Sequence, residues 1–282
     1  MSTSATGIRD IFIRANDLRH HLIARGAPGT PIVMMIHGLT SQAHAFDHIA
    51  GKLANKRHVY SLDVRGRGES EWGPEDGYHT GNYVDDVLSV YEGLGLRTIA
   101  LVGTSTGGLI GMQIAANHPE SVSRLVLNDT GPEIEPAGLA RIREFLAAEP
   151  VAFTDMKAVV SHYKEVHGSN MLMGVSNDRI ADLAKWHVRL SDSGLYVWKM
   201  DPAVRKLTDF SPPEDPWDTF RKIKCPVLVI RGSESDVLSA ANAKRMTEEI
   251  DDCTVVEVPG VGHAPLLNEP EAEFALEAFL EG

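Results

Sequence analysis

Short apolar runs alternate along the chain with segments whose apolar residues recur every three or four positions. The two patterns predict strands and helices in turn. Residues 8–15 and 18–25 read as two strands of an opening meander, split by an Asn16-Asp17 turn signal. Residues 31–36 form a continuous apolar run ending in His37-Gly38, the pattern of a strand buried on both faces. A short helix follows over 46–53, then a strand over 58–64 and a helix over 82–94 in which Val84, Val87, Leu88 and Tyr91 share a face. Next come a strand at 99–103, a helix at 107–117 and a strand at 122–128. From about 132 to 217 the spacing predicts helices only, with Leu139, Ile142, Phe145 and Leu146 on one face and Leu183, Trp186, His187 and Leu190 on another. Alternation resumes with a strand at 226–231, a helix at 240–250, a strand at 254–258 and a helix at 271–280.

Such alternation builds a mainly parallel sheet with helices on both faces, an α/β fold. The expected division is an α/β core made of 1–132 and 216–282, with 133–215 inserted as a helical cap. That insertion falls over the carboxyl edge of the sheet, where open α/β folds bind ligands.

Composition narrows the function. The 282 residues carry 27 Lys and Arg against 39 Asp and Glu, a formal charge of −12. Neutralising phosphates needs a basic surface, so nucleic acid is not an expected partner, and neither is an anionic membrane. A hydrophobic fraction of 43% and a charged fraction of 23% are those of a folded globular chain. No apolar run is long enough to span a bilayer, and the start lacks a basic segment followed by an apolar one. Only two cysteines occur, Cys225 and Cys253, each just before a predicted strand. Reduced thiols in a cytoplasmic protein are expected from that usage.

The sharpest chemical signal is Gly103-Thr104-Ser105-Thr106-Gly107, which follows a strand and opens a helix. This is the context of a nucleophile elbow: a tight turn that lifts the Ser105 hydroxyl clear of the sheet. Gly103 and Gly107 are expected because a Cβ there would strike the neighbouring strand or helix, and Gly108 lets the helix pack close. The Thr106 N–H lies at a helix N-terminus, where unpaired donors favour negative charge. The segment His37-Gly38-Leu39-Thr40 ends the earlier apolar strand, and the Leu39 N–H there is the second candidate oxyanion donor. His37 itself reads as a structural histidine bracing that loop.

Among twelve histidines the base candidate is His263, in the Gly-rich loop Pro259-Gly260-Val261-Gly262-His263-Ala264-Pro265 after the last strand. His44 and His48 have the i, i+4 spacing of a zinc pair, but the acidic helper and third ligand are missing, so no metal is expected. Two carboxylates compete to orient His263. Asp129 ends one strand, and Asp236 follows another in Arg231-Gly232-Ser233-Glu234-Ser235-Asp236, where it is also placed to cap the next helix.

These residues resemble the α/β-hydrolase superfamily over nearly the whole chain. His37-Gly38, the run Asp63-Val64-Arg65-Gly66-Arg67-Gly68-Glu69-Ser70, the Ser105 elbow and the Gly262-His263 loop all take part. The resemblance implies an eight-stranded sheet with a helical cap after the sixth strand. In most members the acid stands three residues past the glycine ending the seventh strand; here that place is Ser235, with Asp236 one further on. Other members carry the acid just after the sixth strand, and Asn128-Asp129-Thr130-Gly131-Pro132 looks like that subgroup, which includes the bacterial 2-(acetamidomethylene)succinate hydrolase and related carboxylesterases. Asp129 is therefore preferred and Asp236 is kept as the alternative.

The expected function is hydrolysis of a carboxylic ester or lactone of a small to medium organic molecule by a serine hydrolase. A second reading with the same residues is cleavage of an amide or a carbon–carbon bond in a ring-cleavage product. Cofactor-free lyase or perhydrolase chemistry, and a non-enzymatic binder retaining the triad, stand further off. Serine at the elbow disfavours the epoxide hydrolases and haloalkane dehalogenases of the superfamily, whose nucleophile is a carboxylate. A small-molecule substrate is the expected partner, no cofactor is implied, and a homodimer is compatible with the sequence. Phe145, Met171, Met173, Trp186 and Trp198 are the candidate lining residues contributed by the cap.

Overall fold

The computed structural model describes residues 7–148, 150–172, 175–206 and 215–281 and, within these, every side chain except those of 166–171. Strands β1 (Arg9–Ala15) and β2 (Leu18–Arg25) form the antiparallel opening pair. Their two-residue turn places Asn16 and Asp17 at φ 47° and 64°, the left-handed geometry that matches the strand twist. Then follow β3 (Ile32–Ile36), α1 (Asp47–Leu53), β4 (His58–Asp63), α2 (Thr80–Gly93), β5 (Ile99–Thr104), α3 (Thr106–Asn117) and β6 (Val122–Asn128).

The chain next leaves the sheet layer for α4 (Pro136–Ala148), β7 (Ala152–Phe153), α5 (Met156–Met171), α6 (Asn177–Lys185), β8 (Val188–Leu190) and β9 (Tyr196–Trp198). It returns through α7 (Pro216–Arg221), β10 (Val227–Gly232), α8 (Ala240–Glu249), β11 (Cys253–Val258) and α9 (Pro270–Glu281). The main sheet has eight strands in the order β1-β2-β4-β3-β5-β6-β10-β11. Only the β1–β2 and β2–β4 pairs are antiparallel.

Strand periodicity divides the core. Met34, Ile36, Leu101, Leu125, Leu127, Val227 and Val229 point to one face, where α2, α3, α7 and α8 bury Val87, Ile110, Phe220 and Met246. Val33, Met35, Val102, Val126, Leu228 and Ile230 point to the other, against Ile49 and Leu53 of α1 and Leu276 and Leu280 of α9. Burial on both faces explains why these strands read as unbroken apolar runs. Both cysteines are free thiols, and no described helix is long and apolar enough to cross a membrane.

The segment between β6 and α7 departs from the all-helical expectation. It contains a second sheet of order β7-β9-β8. β8 and β9 are a hairpin closed by Ser191-Asp192-Ser193-Gly194, with Gly194 at φ 79° and the Ser191 N–H donating to the Leu195 carbonyl at 2.8 Å. The i, i+3, i+4 spacing of Leu183, Trp186, His187 and Leu190 imitated one helix face, but α6 stops at Lys185 and Leu190 is exposed. Phe153, Val159, Tyr163, Ile180, Leu183 and Val188 give this segment an apolar cluster of its own.

Candidate active site

The turn between β5 and α3 carries Ser105 at φ 51°, ψ −115°, a conformation costly for a residue with a side chain. Its surroundings impose that geometry. The Ser105 N–H donates to the Asn128 carbonyl at 3.0 Å, pinning the turn to β6. A Cβ on Gly107 would collide with the Ile36 carbonyl of β3, and one on Gly103 with the backbone of Gly107. Close approach of α3 to the sheet therefore requires both glycines.

His263 lies in the loop between β11 and α9. Its Nε2 stands 3.0 Å from Ser105 Oγ, and its Nδ1 2.7 Å from Asp129 Oδ2. Asp129 is fully buried just past β6, at φ 55°, with its own N–H bonded to the Ile230 carbonyl at 2.7 Å. Its carboxylate also accepts from the Gly232 N–H at 3.0 Å and the Ser235 hydroxyl at 2.7 Å. With acceptors only at that carboxylate, His263 Nδ1 is the donor and Nε2 is left to accept from the serine.

Asp236 is placed elsewhere. It binds Arg141 of α4 through two bonds, Nε at 2.5 Å and Nη2 at 2.7 Å. The bond from Arg141 holds the Asp236 carboxyl below the usual carboxylate range. Nor does Asp236 cap α8: the Ser239 side chain does, accepting from the Asn242 N–H at 3.2 Å.

The two candidate oxyanion donors flank the serine. Thr106 is the first residue of α3, and its N–H has no intrahelical acceptor. The Leu39 N–H follows β3 and bonds to no acceptor among the described residues. His37 braces this loop: its ring bonds the Gly38 carbonyl at 2.7 Å and the Val64 N–H at 3.1 Å. Complete burial drives its pKa down to about 4, so the ring is neutral and donates from Nδ1.

A cavity of about 130 Å³ opens over Ser105 and His263. Leu39 and Leu267 line it from the sheet side, and Ile142, Phe145 and Leu183 from the inserted segment. Arg141, Tyr163 and His187 are its polar members from above. Burial pushes the His187 pKa down to about 4, so it faces the cavity as a neutral imidazole.

Of the three lining residues expected most, Phe145 reaches this cavity. Trp186 and Trp198 line a smaller one beside it. Trp186 stacks on His44 with ring centroids 3.5 Å apart, and Trp198 Nε1 donates to the Pro150 carbonyl at 2.7 Å. Met173 lies outside the described residues, as does the side chain of Met171. His44 and His48 bond to Asp47 and Glu273, and no group of three metal-ligating residues occurs among the described residues.

Two contributions to the site carry no sequence signal. Ser235 stands at the usual place of the acid, and its bond to Asp129 has no signature in the sequence. Asn128 fastens the site together, since its Nδ2 donates to Thr104 Oγ1 at 3.0 Å and to the Pro265 carbonyl at 2.8 Å. The elbow and the histidine loop are thus tied to one side chain.

The model of the alpha/beta hydrolase family matches residues 33–278, most of the chain. The chain belongs to that family. This alpha/beta hydrolase is 33% identical over 256 residues to the 3-hydroxybutyrate-oligomer hydrolase of Cupriavidus necator, with 87% of each chain covered. It is 29% identical over 248 residues to the 2-(acetamidomethylene)succinate hydrolase of Mesorhizobium japonicum, covering 88% of this chain and 86% of the relative. Among solved structures, an alpha/beta hydrolase from Novosphingobium aromaticivorans superposes with a TM-score of 0.89 at 31% identity, covering 97% and 98% of the two chains. The structure of E-2-(acetamidomethylene)succinate hydrolase superposes with a TM-score of 0.86 at 27% identity, covering 98% and 100% of the two chains. The protein is therefore an enzyme, a hydrolase of this superfamily.

Proposed function

We propose that the protein is a serine hydrolase that cleaves a carboxylic ester or lactone of a small to medium organic molecule, with Ser105, His263 and Asp129 as its triad. The observation that carries this reading is the unbroken line from Asp129 Oδ2 through the imidazole to Ser105 Oγ, with steps of 2.7 and 3.0 Å, at the floor of a cavity.

His263 Nε2 takes the Ser105 proton as Oγ attacks the substrate carbonyl. The N–H groups of Leu39 and Thr106 hold the oxyanion; losing one such donor typically costs about 2.7–4 kcal/mol of barrier. Asp129 keeps the ring in the right tautomer and stabilises the imidazolium. His263 then gives its proton to the departing alcohol, leaving an acyl-Ser105. Water, deprotonated by His263, repeats the attack and releases the acid. The segment 133–215 serves as the cap that limits substrate size, through Ile142, Phe145 and Leu183.

A second reading, hydrolysis of an amide in a ring-cleavage product, is favoured by the names of two relatives: the 2-(acetamidomethylene)succinate hydrolase and an N-formylmaleamate deformylase of Pseudomonas putida, the latter 26% identical. The test is turnover of p-nitrophenyl butyrate beside a matched anilide, together with fluorophosphonate labelling. Ester turnover with label on Ser105 supports the first reading. Anilide turnover above ester turnover supports the second, and neither turnover nor label overturns both.

A further inference from the structure

Beside the catalytic cavity lies a smaller one of about 20 Å³, which shares with it the walls formed by Thr40, Phe145, Tyr163 and His187. That volume holds one small group, not a chain. Arg67, Gln42 and Lys199 reach its surface, and no acidic residue lines it. In a chain of formal charge −12, an acid-free and cation-lined recess runs against the average.

Arg67 is the telling member. It is 1% exposed and among the largest fully buried side chains. Its Nε donates to the Leu39 carbonyl at 2.9 Å, and its Nη1 to the Arg65 carbonyl and Tyr83 hydroxyl, both at 2.8 Å. The guanidinium carbon lies 5.6 and 5.2 Å from the ring centroids of Tyr78 and Tyr83. All of these partners are neutral. Among the described residues Nη2 has no partner, and neither does Nε2 of Gln42, which is 2% exposed. The carboxylates of the same neighbourhood are engaged: Asp63 by His21 and by the N–H groups of Ala43 and Glu69, and Asp201 by Tyr78 and the Ala203 N–H. With only neutral groups bonded directly to the guanidinium, an anion delivered to it is favoured.

We propose that this recess is a carboxylate subsite: Arg67 Nη2 and Gln42 Nε2, both without accessible surface in this structure, turn toward it to hold the free acid end of an ester substrate whose scissile carbonyl sits over Ser105. The inference rests on the serine-hydrolase reading and narrows its substrates to esters that carry a carboxylate a few bonds from the cleaved link, such as half-esters or short hydroxy-acid oligoesters. Lys199, paired with Glu69 at 2.5 Å, stands at the rim. The guanidinium–carboxylate contact would be charge-assisted and dry, the kind that discriminates most strongly against an uncharged analogue.

Because Arg67 also holds the Leu39 carbonyl, turnover alone would confuse anchoring with damage to the oxyanion loop, so the test is binding. The monomethyl esters of succinate, glutarate and adipate, and their dimethyl counterparts, are titrated by calorimetry into Ser105→Ala protein. At least one monoester is expected to bind tenfold or more tightly than its diester. Adding Arg67→Gln should shrink that preference below threefold. Where circular dichroism shows that variant unfolded, Gln42→Leu with Lys199→Met gives the same readout. Equal affinity for monoester and diester, no binding of any monoester, or a preference that survives the substitutions overturns the subsite. Fluorophosphonate labelling of the wild type at Ser105 reports separately on the hydrolase reading, so the two failures are distinguishable.

Discussion

The Ser235 hydroxyl donates to Oδ2 of Asp129 at 2.7 Å, on the oxygen that also faces His263. β6 and β10 are neighbours in the sheet, so groups after both strands meet at one carboxylate. Here β6 supplies the carboxylate and the segment after β10 supplies a hydroxyl that steadies it. Ser235→Ala should lower kcat by about tenfold, the size of one lost hydrogen bond to a charged group, with KM little changed. Steady-state kinetics on an aryl ester check it; an unchanged kcat would show that Gly232 and the fold suffice to hold Asp129.

Asp129→Asn should reduce kcat by roughly 10³–10⁴-fold, because an amide favours the wrong imidazole tautomer. Asp236→Asn should change kcat by less than about fivefold, since its partner is a half-exposed Arg141 and such pairs are worth little. Measuring both variants on one substrate decides between the acids. A large loss in Asp236→Asn with near-normal Asp129→Asn would reverse the assignment.

Acid should loosen the fold through two buried rings. His37 and His187 are both held neutral, at about 4 against an ordinary value near 6.5, by burial. A depressed folded-state value means that protons bind the unfolded chain first. The stability from the neutral rings is complete above about pH 6.5 and is lost as pH falls from there toward 4. Each ring contributes a loss of about 2 kcal/mol between pH 7 and 5. Urea unfolding at the two pH values should show it, and His187→Gln should flatten the difference by about one ring's share.

Replacing Gly107 tests the packing that lifts the nucleophile. Its Cβ would meet the Ile36 carbonyl, a backbone atom that cannot step aside. Gly107→Ala should lower the melting temperature by about 10 °C or more, or abolish soluble expression, whereas Gly95→Ala, with open space around it, should cost only its left-handed φ. Differential scanning calorimetry separates the two.

What could be read beforehand follows from physical periodicity. β3, β5, β6 and β10 are buried on both faces, so their apolar runs were unmistakable, and the glycines of the elbow sit where a side chain cannot. The β8–β9 hairpin was missed because Leu183, Trp186 and Leu190 fall at helical spacing, although Ser191-Asp192-Ser193-Gly194 is a turn signal between two strand-like runs. Asp129 and Asp236 both stood at strand ends, and sequence does not say which way a side chain points. The bond from Asn128 to Pro265 spans 137 positions, and Arg67 draws Leu39 from the loop after β3 and Tyr83 from α2; neither has a local pattern to betray it.

The serine-hydrolase mechanism requires that Ser105 Oγ becomes acylated with His263 as its base. Rapid acid quench during turnover of p-nitrophenyl butyrate, followed by peptide mass spectrometry, reads this directly. A butyryl adduct is expected on the peptide bearing Ser105 in wild type, and none in Ser105→Ala or His263→Ala. Turnover that persists undiminished in Ser105→Ala, or an adduct on another residue, would contradict it.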